Sequence, residues 1–360
     1  MTFTYRYSVQ GLRIGSVFSG IGALDIALHN LLPDSETVWF VEENQFCQKL
    51  LRKRFLDTPI YDDVCKVGEH NLSPIDILVG GFPCQDISTA GEGAGISKGT
   101  RSGLFFEMWR IAQELQPRVV LFENVPAITI RGLDDVAEMI CSSGWSIEWF
   151  ALSASDVGAY HKRERWWGIA HREPQPLFGQ YEIIGELQNG WRTLQQGLFG
   201  SPSVIEKMPR SGMVRDGLLY QRPQADISSS LYPTPVRNDG HKMGTGCLER
   251  IIKCGTRYSA NDHRSEVKEQ EWLAGKLNPD WVEPLMGLPV GYTDLEKDIA
   301  PSMIEVSSWE DGSWEEGLAR LTERKDNRVS RIQSLGNSVV PQCAHRAYSI
   351  IRRLKWQTRQ

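Results

Sequence analysis

The chain has 360 residues, of which 41% are hydrophobic and 24% charged, and its formal net charge is −5. This composition is typical of a soluble globular protein that buries a sizeable core in one large domain or two. It excludes a membrane-spanning protein, because no run approaches the roughly 18 apolar residues of a membrane helix and the N-terminus lacks a signal-peptide pattern. We therefore expect a cytoplasmic protein with no membrane partner.

The cysteines and the charge distribution narrow the class further. Seven cysteines, an odd number without a CxxC pair, indicate neither a disulfide framework nor a metal site. Residues 1–170 carry 15 basic and 21 acidic residues, residues 171–275 carry 13 and 12, and the remainder carries 12 of each. The excess of acidic residues therefore lies in the first half of the chain. This distribution indicates a catalytic region for a small cofactor and not a polybasic nucleic-acid surface.

Short apolar runs alternate with helical patterns through the first half of the chain. The runs predicted as strands are 12–18, 37–42, 75–80 and 118–123, followed by 145–154 and 165–171; the predicted helices are 22–32, 45–55, 104–115 and 134–141. Repeated βα units of this kind predict an α/β fold with a doubly wound, mostly parallel sheet. Ligands of such sheets bind beyond the carboxyl ends of the strands.

This periodicity ends at His171. Residues 172–276 are rich in Gly, Pro, Gln and Ser and predict a smaller, loop-rich domain. Order returns at 277–289, a charged and mobile stretch is expected over 296–330, and the spacing in SLGNSVVPQCAHRAYSIIRRL predicts a helix. We predict a first catalytic part at 1–171, a second domain at 172–276, and a C-terminal part at 277–360 that completes the catalytic domain.

The turn FSGIGALD (18–25) joins the first predicted strand to its helix, where backbone N–H groups can approach a nucleotide-like ligand. Glu42, at the end of the second strand, can accept both hydroxyls of a ribose, and Glu43 is its rival. Asp63 can accept from an adenine amino group. Considered singly, each acid is better interpreted as a surface residue or a helix cap.

Eight motifs, in chain order, together carry a resemblance: FSGIGALD, VEEN, DDV, GGFPCQDIS, GLFF, FENVP, HKRERWWGI and GNSVVP. The series resembles that of the DNA (cytosine-5) methyltransferases of bacteria and bacteriophages over residues 12–171 and about 277–355. The resemblance implies a Rossmann-like methyltransferase fold, S-adenosyl-L-methionine as cofactor, and cytosine in double-stranded DNA as substrate. The unmatched middle is expected to be the target-recognition domain.

The chemistry explains the residue types in these motifs. Carbon 5 of cytosine is too electron-poor to attack a sulfonium methyl group unaided, so a nucleophile must first add to carbon 6, and Cys84 of PCQ is the candidate. Glu123 of FENVP matches the family acid that protonates ring nitrogen 3. Arg165 is implied to anchor the carbonyl oxygen of cytosine and Arg163 to support the loop, the two facing one side of a strand.

The resemblance also implies the cofactor residues. They are Phe18, Gly20, Gly22, Glu42, Asp63, Val64, Pro83, Leu104, Asn337, Ser338 and Val339. The sequence departs from the family at His161, where Gln is usual, and at Ala23, where glycine is usual. The glycine-rich loop after Cys84 is expected to close over a flipped base.

Other functions remain open at this stage. An RNA cytosine methyltransferase could share Cys84 and Glu123, although the long irregular insertion favours a DNA enzyme. An inactive DNA-binding regulator would not need Cys84, Glu123 and Arg165 together, and a methylase of exocyclic amino groups would carry a D/N-P-P-Y/F motif that is absent. Besides DNA, a cognate restriction endonuclease acting on the same site is a possible partner, and we expect a monomer.

Overall fold

The computed structural model describes residues 11–83, 102–178, 182–186, 193–196, 202–205, 208–216, 218–221, 275–354 and 356. The strands are β1 Arg13–Val17, β2 Glu36–Val41, β3 Ile60–Tyr61, β4 Ile77–Gly81, β5 Val119–Asn124, β6 Ser146–Leu152, β7 Arg165–His171, β8 Glu182–Glu186, β9 Thr193–Gln196, β10 Pro202–Ile205, β11 Gly212–Arg215, β12 Leu218–Gln221, β13 Lys276–Leu277 and β14 Leu321–Thr322. The helices are α1 Ala23–Leu31, α2 Gln45–Arg54, α3 Phe105–Leu115, α4 Leu133–Ser142, α5 Pro279–Leu285, α6 Val306–Asp311, α7 Arg328–Asn337 and α8 Pro341–Tyr348.

The main sheet has the order β10-β9-β8-β12-β11-β6-β7-β5-β4-β1-β2-β3. Strands β3, β2, β1, β4 and β5 pair in parallel, and β7 lies antiparallel between β5 and β6. The predicted α/β class is confirmed, but within the main sheet of the described residues parallel pairing is confined to these five strands. Parallel neighbours need long crossover connections, which the helices between these strands provide. The connection from β6 to β7 contains only a short 3₁₀ turn, so the chain reverses direction and the two strands pair antiparallel.

Helices cover both faces of the parallel part, as a doubly wound sheet requires. Helices α1, α2, α5, α7 and α8 share one hydrophobic core, and α3 and α4 share the other. Successive residues of β5 alternate between the two, since Val119 and Leu121 join the first core and Val120 and Phe122 join the second. Within the described ranges, no helix is long and apolar enough to cross a membrane.

The middle of the chain contributes strands to the same sheet. β11 pairs with β6, and β12, β8, β9 and β10 follow outward in antiparallel pairs. Residues 222–274 lie outside the described residues. The division of the chain at 171 and 276 stays a prediction.

The C-terminal segment packs on the N-terminal half. The Tyr348 hydroxyl donates to the Phe122 carbonyl at 2.8 Å, and the Tyr292 hydroxyl donates to the Ile21 carbonyl at 2.7 Å. Arg54 of α2 donates to the carbonyls of Tyr292 and of its neighbours up to residue 297. These contacts cover one face of the parallel strands with residues from the far end of the chain.

Two predictions concern this segment, and the first is wrong. The single helix predicted near the C-terminus is two, because Pro341 cannot continue α7 and holds Val340 extended (φ −84°, ψ 116°) before starting α8 at its first position. The stretch 296–330 contains α6 and β14 and buries the indoles of Trp309 and Trp314, and its mobility stays a prediction.

Candidate active site

The predicted site residues converge on one edge of the sheet. Phe18 to Gly22 follow β1, Glu42 follows β2, Asp63 follows β3, and Glu123 is near the end of β5. Arg165 begins β7, which is antiparallel to β5, so Arg165 also lies at the carboxyl edge of the parallel strands. This is the edge where doubly wound sheets bind their ligands.

The glycine turn after β1 bends through left-handed backbone conformations, with φ of 53° at Phe18, 54° at Gly20 and 78° at Gly22. A side chain at Gly20 would meet open space, so glycine is required there by conformation and not by crowding. The N–H of Gly20 donates to Glu42 Oε2 at 2.7 Å, and the N–H of Asn44 donates to Glu42 Oε1 at 2.8 Å. The Glu42 carboxylate therefore holds the glycine turn next to it.

Glu42 and Glu43 differ in their surroundings. Glu42 is 8% exposed, and burial raises the pKa of its carboxyl against the lowering effect of its two backbone donors. Glu43 is exposed. Only Glu42 lies against the turn, so it is the better placed of the two to face a ligand held there.

Asp63 and Val64 lie on the next connection outward. Asp63 caps a short 3₁₀ turn by accepting from the Cys65 N–H at 2.9 Å, and it pairs with Lys66 at 3.1 Å. Asp63 is half-exposed. The hydrogen bond from Cys65 lowers the pKa of Asp63, so its side chain is a carboxylate. The capping role considered from the sequence is present, and Val64 beside it is buried.

Glu123 is placed by its neighbours on β4 and β5. Gly81 is its register partner, and a Cβ at Gly81 would lie 2.8 Å from Glu123 Oε2. The carboxylate thus occupies the space that glycine leaves. The next residue, Asn124, donates from its amide to the Phe82 carbonyl at 3.1 Å and accepts from the Val125 N–H, which fixes the end of β4 against the end of β5.

Glu123 and Arg165 form an ion pair in which Arg165 Nε lies 2.9 Å from Glu123 Oε1, and their side chains are 12% and 20% exposed. Burial raises the pKa of Glu123, while the charges of Arg165 and Arg163 lower it. The direction is upward, so the carboxyl holds a proton more readily than an exposed glutamate. A carboxylic acid in this position can donate a proton to a bound base.

Arg163 is not where strand alternation predicts it. β7 begins only at Arg165, and Arg163 precedes it with a left-handed φ of 24°. Its guanidinium donates to the carbonyls of Gly336, at 2.9 Å, and of Ser338. The prediction that both arginines face one side of a strand is therefore wrong, because the backbone turns at Arg163 and directs its side chain to the C-terminal segment.

The C-terminal cofactor candidates lie at the end of α7. Asn337 is its last residue and is exposed, Ser338 follows it, and Val339 is buried. The Ser338 carbonyl is the one that Arg163 holds. Gly336 lies within the helix and has no left-handed φ.

Cys84 and residues 85–101, including most of the expected lid, lie outside the described residues. Pro83, directly before Cys84, is half-buried. Leu104, directly before α3, packs partly buried against the second core together with Phe18. Pro83 and Leu104 therefore lie close to where the chain leaves the described structure before Cys84 and where it re-enters it.

Sequence reasoning missed some residues that support the site. Gly81 makes room for the Glu123 carboxylate, Gln48 donates to the Glu42 carbonyl at 2.7 Å, and the Tyr348 hydroxyl holds the Phe122 carbonyl. The second glycine of GGFPC was a usable signal, since glycine in a buried strand marks a close approach. No local pattern indicates Gln48 or Tyr348.

Comparison with solved structures identifies the fold first. The structure aligns with the S. pombe Dnmt2 methyltransferase over 96% of this chain and 100% of that chain, with a TM-score of 0.56 and 15% sequence identity. At this level of identity the likeness concerns the fold. The chain has a methyltransferase fold, with Glu123 and Arg165 at the carboxyl edge of its parallel strands.

Sequence comparison then identifies the family. A profile of the C-5 cytosine-specific DNA methylase family matches residues 12–284. The chain is 35% identical over 283 residues to the type II methyltransferase M.CviJI of Paramecium bursaria Chlorella virus IL3A, covering 75% of each protein. It is 33% identical over 281 residues to M1.ScrFI of Lactococcus lactis subsp. cremoris, covering 77% of this chain and 69% of that protein. The chain belongs to the C-5 cytosine-specific DNA methylase family, as its motifs predict, and is a DNA cytosine-5 methyltransferase.

Proposed function

We propose that the chain transfers a methyl group from S-adenosyl-L-methionine to carbon 5 of a flipped-out cytosine in a specific sequence of double-stranded DNA, through a covalent adduct with Cys84. The observation that carries the proposal is the Glu123–Arg165 ion pair, partly exposed at the carboxyl edge of the sheet. It lies beside the strand end from which the chain runs into Pro83 and Cys84.

The covalent route assigns a separate step to each residue. The Cys84 thiolate adds to carbon 6 and forms a carbon–sulfur bond, while the electron pair displaced from the ring is accepted at nitrogen 3 with a proton from Glu123. Carbon 5 becomes nucleophilic and would take the methyl group, while the electron pair of the broken carbon–sulfur bond stays on the sulfur of the methyl donor, which leaves as a thioether. Loss of the carbon 5 proton to a base and departure of the thiolate then restore the ring double bond, and nitrogen 3 returns its proton to the Glu123 carboxylate.

Glu123 and Arg165 would act together on the bound base. Protonated Glu123 donates to nitrogen 3, and the Arg165 guanidinium donates to the adjacent carbonyl oxygen of cytosine, where negative charge develops. Burial raises the pKa of Glu123 and Arg165 lowers it, so the pair keeps an acid that can give up its proton during the reaction. Arg163 would hold the Ser338 turn in place.

The residues around the glycine turn fit S-adenosyl-L-methionine, which would supply its methyl group as an electrophilic sulfonium. The turn at Gly20 is open, and the buried Glu42 carboxylate beside it has further acceptor capacity for ribose hydroxyls. Asp63 would accept from the adenine amino group. Phe18, Val64, Pro83 and Leu104 would contact the adenosine part, and Asn337, Ser338 and Val339 the methionine part.

Recognition of the DNA sequence is assigned to residues 172–276, which contain none of the catalytic motifs. The relatives M.CviJI and M1.ScrFI are named type II methyltransferases. By analogy we assign this chain to a restriction-modification setting, with a cognate endonuclease as its partner and a monomer as the active form.

The test is methyl transfer from labelled S-adenosyl-L-methionine to duplex DNA and, separately, to transfer RNA. We expect incorporation into DNA, loss of incorporation in Cys84→Ala, and nearly unchanged cofactor affinity of that variant. Bisulfite sequencing of plasmid from expressing cells would then identify the methylated sequence. Turnover by Cys84→Ala at the wild-type rate would refute the covalent route, and incorporation into transfer RNA alone would refute the substrate.

A further inference from the structure

We propose that His161 is a positioning residue for methyl transfer, which holds the segment 161–165 against the end of α5 through a neutral imidazole with its proton on Nε2. The inference rests on the proposed function and adds a residue to it. Its role is to keep Arg163 and Arg165 directed at two different targets.

The segment that carries the arginines is strained. Arg163 has a φ of 24°, a left-handed conformation that side chains other than glycine seldom adopt. Such a conformation persists only where the surrounding contacts fix the chain on both sides. On the C-terminal side the contact is the ion pair of Arg165 with Glu123.

His161 is a fixed point on the N-terminal side. Its side chain is completely buried, and Nε2 lies 3.0 Å from the carbonyl oxygen of Leu285, the last residue of α5. The backbone adds a second contact, since the Lys162 carbonyl accepts from the Ala154 N–H at 2.7 Å. The strained residue is thus enclosed between anchored neighbours.

The hydrogen bond to Leu285 determines the tautomer of His161. A carbonyl oxygen only accepts, so Nε2 must carry the proton. Nδ1 is buried without a hydrogen-bond partner among the described residues. Burial, with the charges of Arg163 and Arg165, lowers the pKa of His161 to about 3, so Nδ1 presents a lone pair.

This arrangement suits a site with two nearby cations. A protonated imidazole would add a third positive charge near Arg163 and Arg165, whereas the neutral ring adds none. If the anchor to Leu285 were lost, Arg163 could relax to an ordinary φ, and the aim of both guanidinium groups would change. Arg163 would leave the Gly336 and Ser338 carbonyls, and Arg165 would leave Glu123.

The first experiment reads the tautomer directly. ¹⁵N spectra of the histidine-labelled full chain, with the His161 signals assigned by their loss in His161→Gln, are recorded between pH 6 and 8. We expect a protonated Nε2 and an unprotonated Nδ1 throughout. A proton on Nδ1, or titration near the ordinary histidine pKa, would overturn the proposal.

The second experiment compares two variants in single-turnover methyl transfer to duplex DNA. His161→Gln keeps an N–H donor for Leu285 and an acceptor, so its rate should stay within about fivefold of wild type. His161→Phe fills the space without a donor, so its rate should fall by roughly 10- to 100-fold through misplacement of the arginines. His345→Phe, on α8 and outside the site, is the matched control and should keep the wild-type rate.

The pH profile separates positioning from mere loss of stability. Arg165 lowers the pKa of Glu123, so displacement of Arg165 should shift the Glu123 limb of the rate profile to higher pH in His161→Phe but not in His161→Gln. An unshifted limb with a wild-type rate in His161→Phe, or equal losses in both variants, would refute the role. If His161→Phe does not fold, the role of His161 is tested by the methyl-transfer rate of His161→Gln and by the tautomer in the wild-type chain.

The tautomer is read without DNA or cofactor, which keeps the two hypotheses separate. A wild-type chain that transfers no methyl group to DNA would refute the proposed function. An active wild-type chain with a proton on Nδ1 would refute the role of His161 alone.

Discussion

A glutamate lies beside each end of strand β7, and the two glutamates differ in how fully their hydrogen bonds are satisfied. At the start of β7, Arg165 pairs with Glu123. At its end, the His171 imidazole donates from Nε2 to Glu148 Oε1 at 2.9 Å, while its Nδ1 accepts from the Glu173 N–H. The backbone N–H groups of residues 177 and 178 complete the donors to Glu148.

The difference indicates different roles. Glu148 is fully buried and both its oxygens have donors, so it fixes the chain where it leaves β7 and has no contact with solvent. Glu123 remains partly exposed and, among the described residues, has Arg165 as its hydrogen-bond partner. A carboxyl with free hydrogen-bonding capacity at a ligand-binding edge is suited to chemistry, whereas a saturated one is suited to stability.

Removing the saturated glutamate should have the largest effect. In Glu148→Ala the His171 imidazole and two backbone N–H groups lose their acceptor, so the free energy of unfolding should fall by about 3–5 kcal/mol. Urea denaturation measures it, with the exposed Glu316→Ala as the control that changes little. A loss under 1 kcal/mol would mean that Glu148 is not an anchor.

Asp25 sharpens the comparison, since its buried carboxyl accepts from two neutral hydroxyls, Ser16 and Thr37, each at 2.9 Å. Burial raises its pKa to about 7, so the folded state binds this proton more tightly than the unfolded state. The free energy of unfolding should therefore fall as pH rises from about 4 to 7, by at most about 4 kcal/mol from this group. Urea denaturation across this range should show a smaller slope in Asp25→Asn, and an equal slope would contradict the assignment.

Glu123→Gln tests the other end of β7. Gln keeps the shape but cannot donate an acidic proton, so single-turnover methyl transfer should fall by roughly 100-fold or more, while the melting temperature changes little. The wild-type rate should decrease as pH rises through the raised pKa of Glu123, and that limb should vanish in the variant. A variant with the wild-type rate and pH profile would show that Glu123 is not the acid.

Asn337→Ala should give the smallest effect. Asn337 is exposed at the end of α7, next to the turn that Arg163 holds, so its loss should leave the fold intact and remove one polar contact to the cofactor. Affinity for S-adenosyl-L-methionine should weaken by about 1 kcal/mol. Calorimetric titration that gives wild-type affinity for the folded variant would rule out the contact.

Much of the parallel core could be predicted from local sequence. Buried parallel strands are continuous apolar runs, so RIGSV, ILVGG and VVLFEN were recognisable, as were the helices between them. The two-residue strand β3 was missed because it is too short to have a period. The antiparallel pairing of β11 to β6 could not be read locally, since it joins residues more than 60 positions apart.

Site residues could be predicted where the chemistry requires one residue type. They were harder to predict where long-range contacts determine the direction of a side chain. Glu123 and Arg165 lie together as their motifs indicate. The direction of Arg163 depends on a left-handed φ and on carbonyls more than 170 residues away. No strand pattern contains that information.

The hydrogen bond from Tyr348 to the Phe122 carbonyl, one residue before Glu123, joins positions 226 residues apart. During synthesis on a ribosome, the strand that carries the acid must wait for the whole of the intervening chain to emerge before this contact can form. Contacts of such long range slow folding, because a large loop must close before any stabilisation is gained. The carbonyl next to the acid therefore gains this hydrogen bond only after Tyr348 has been synthesised.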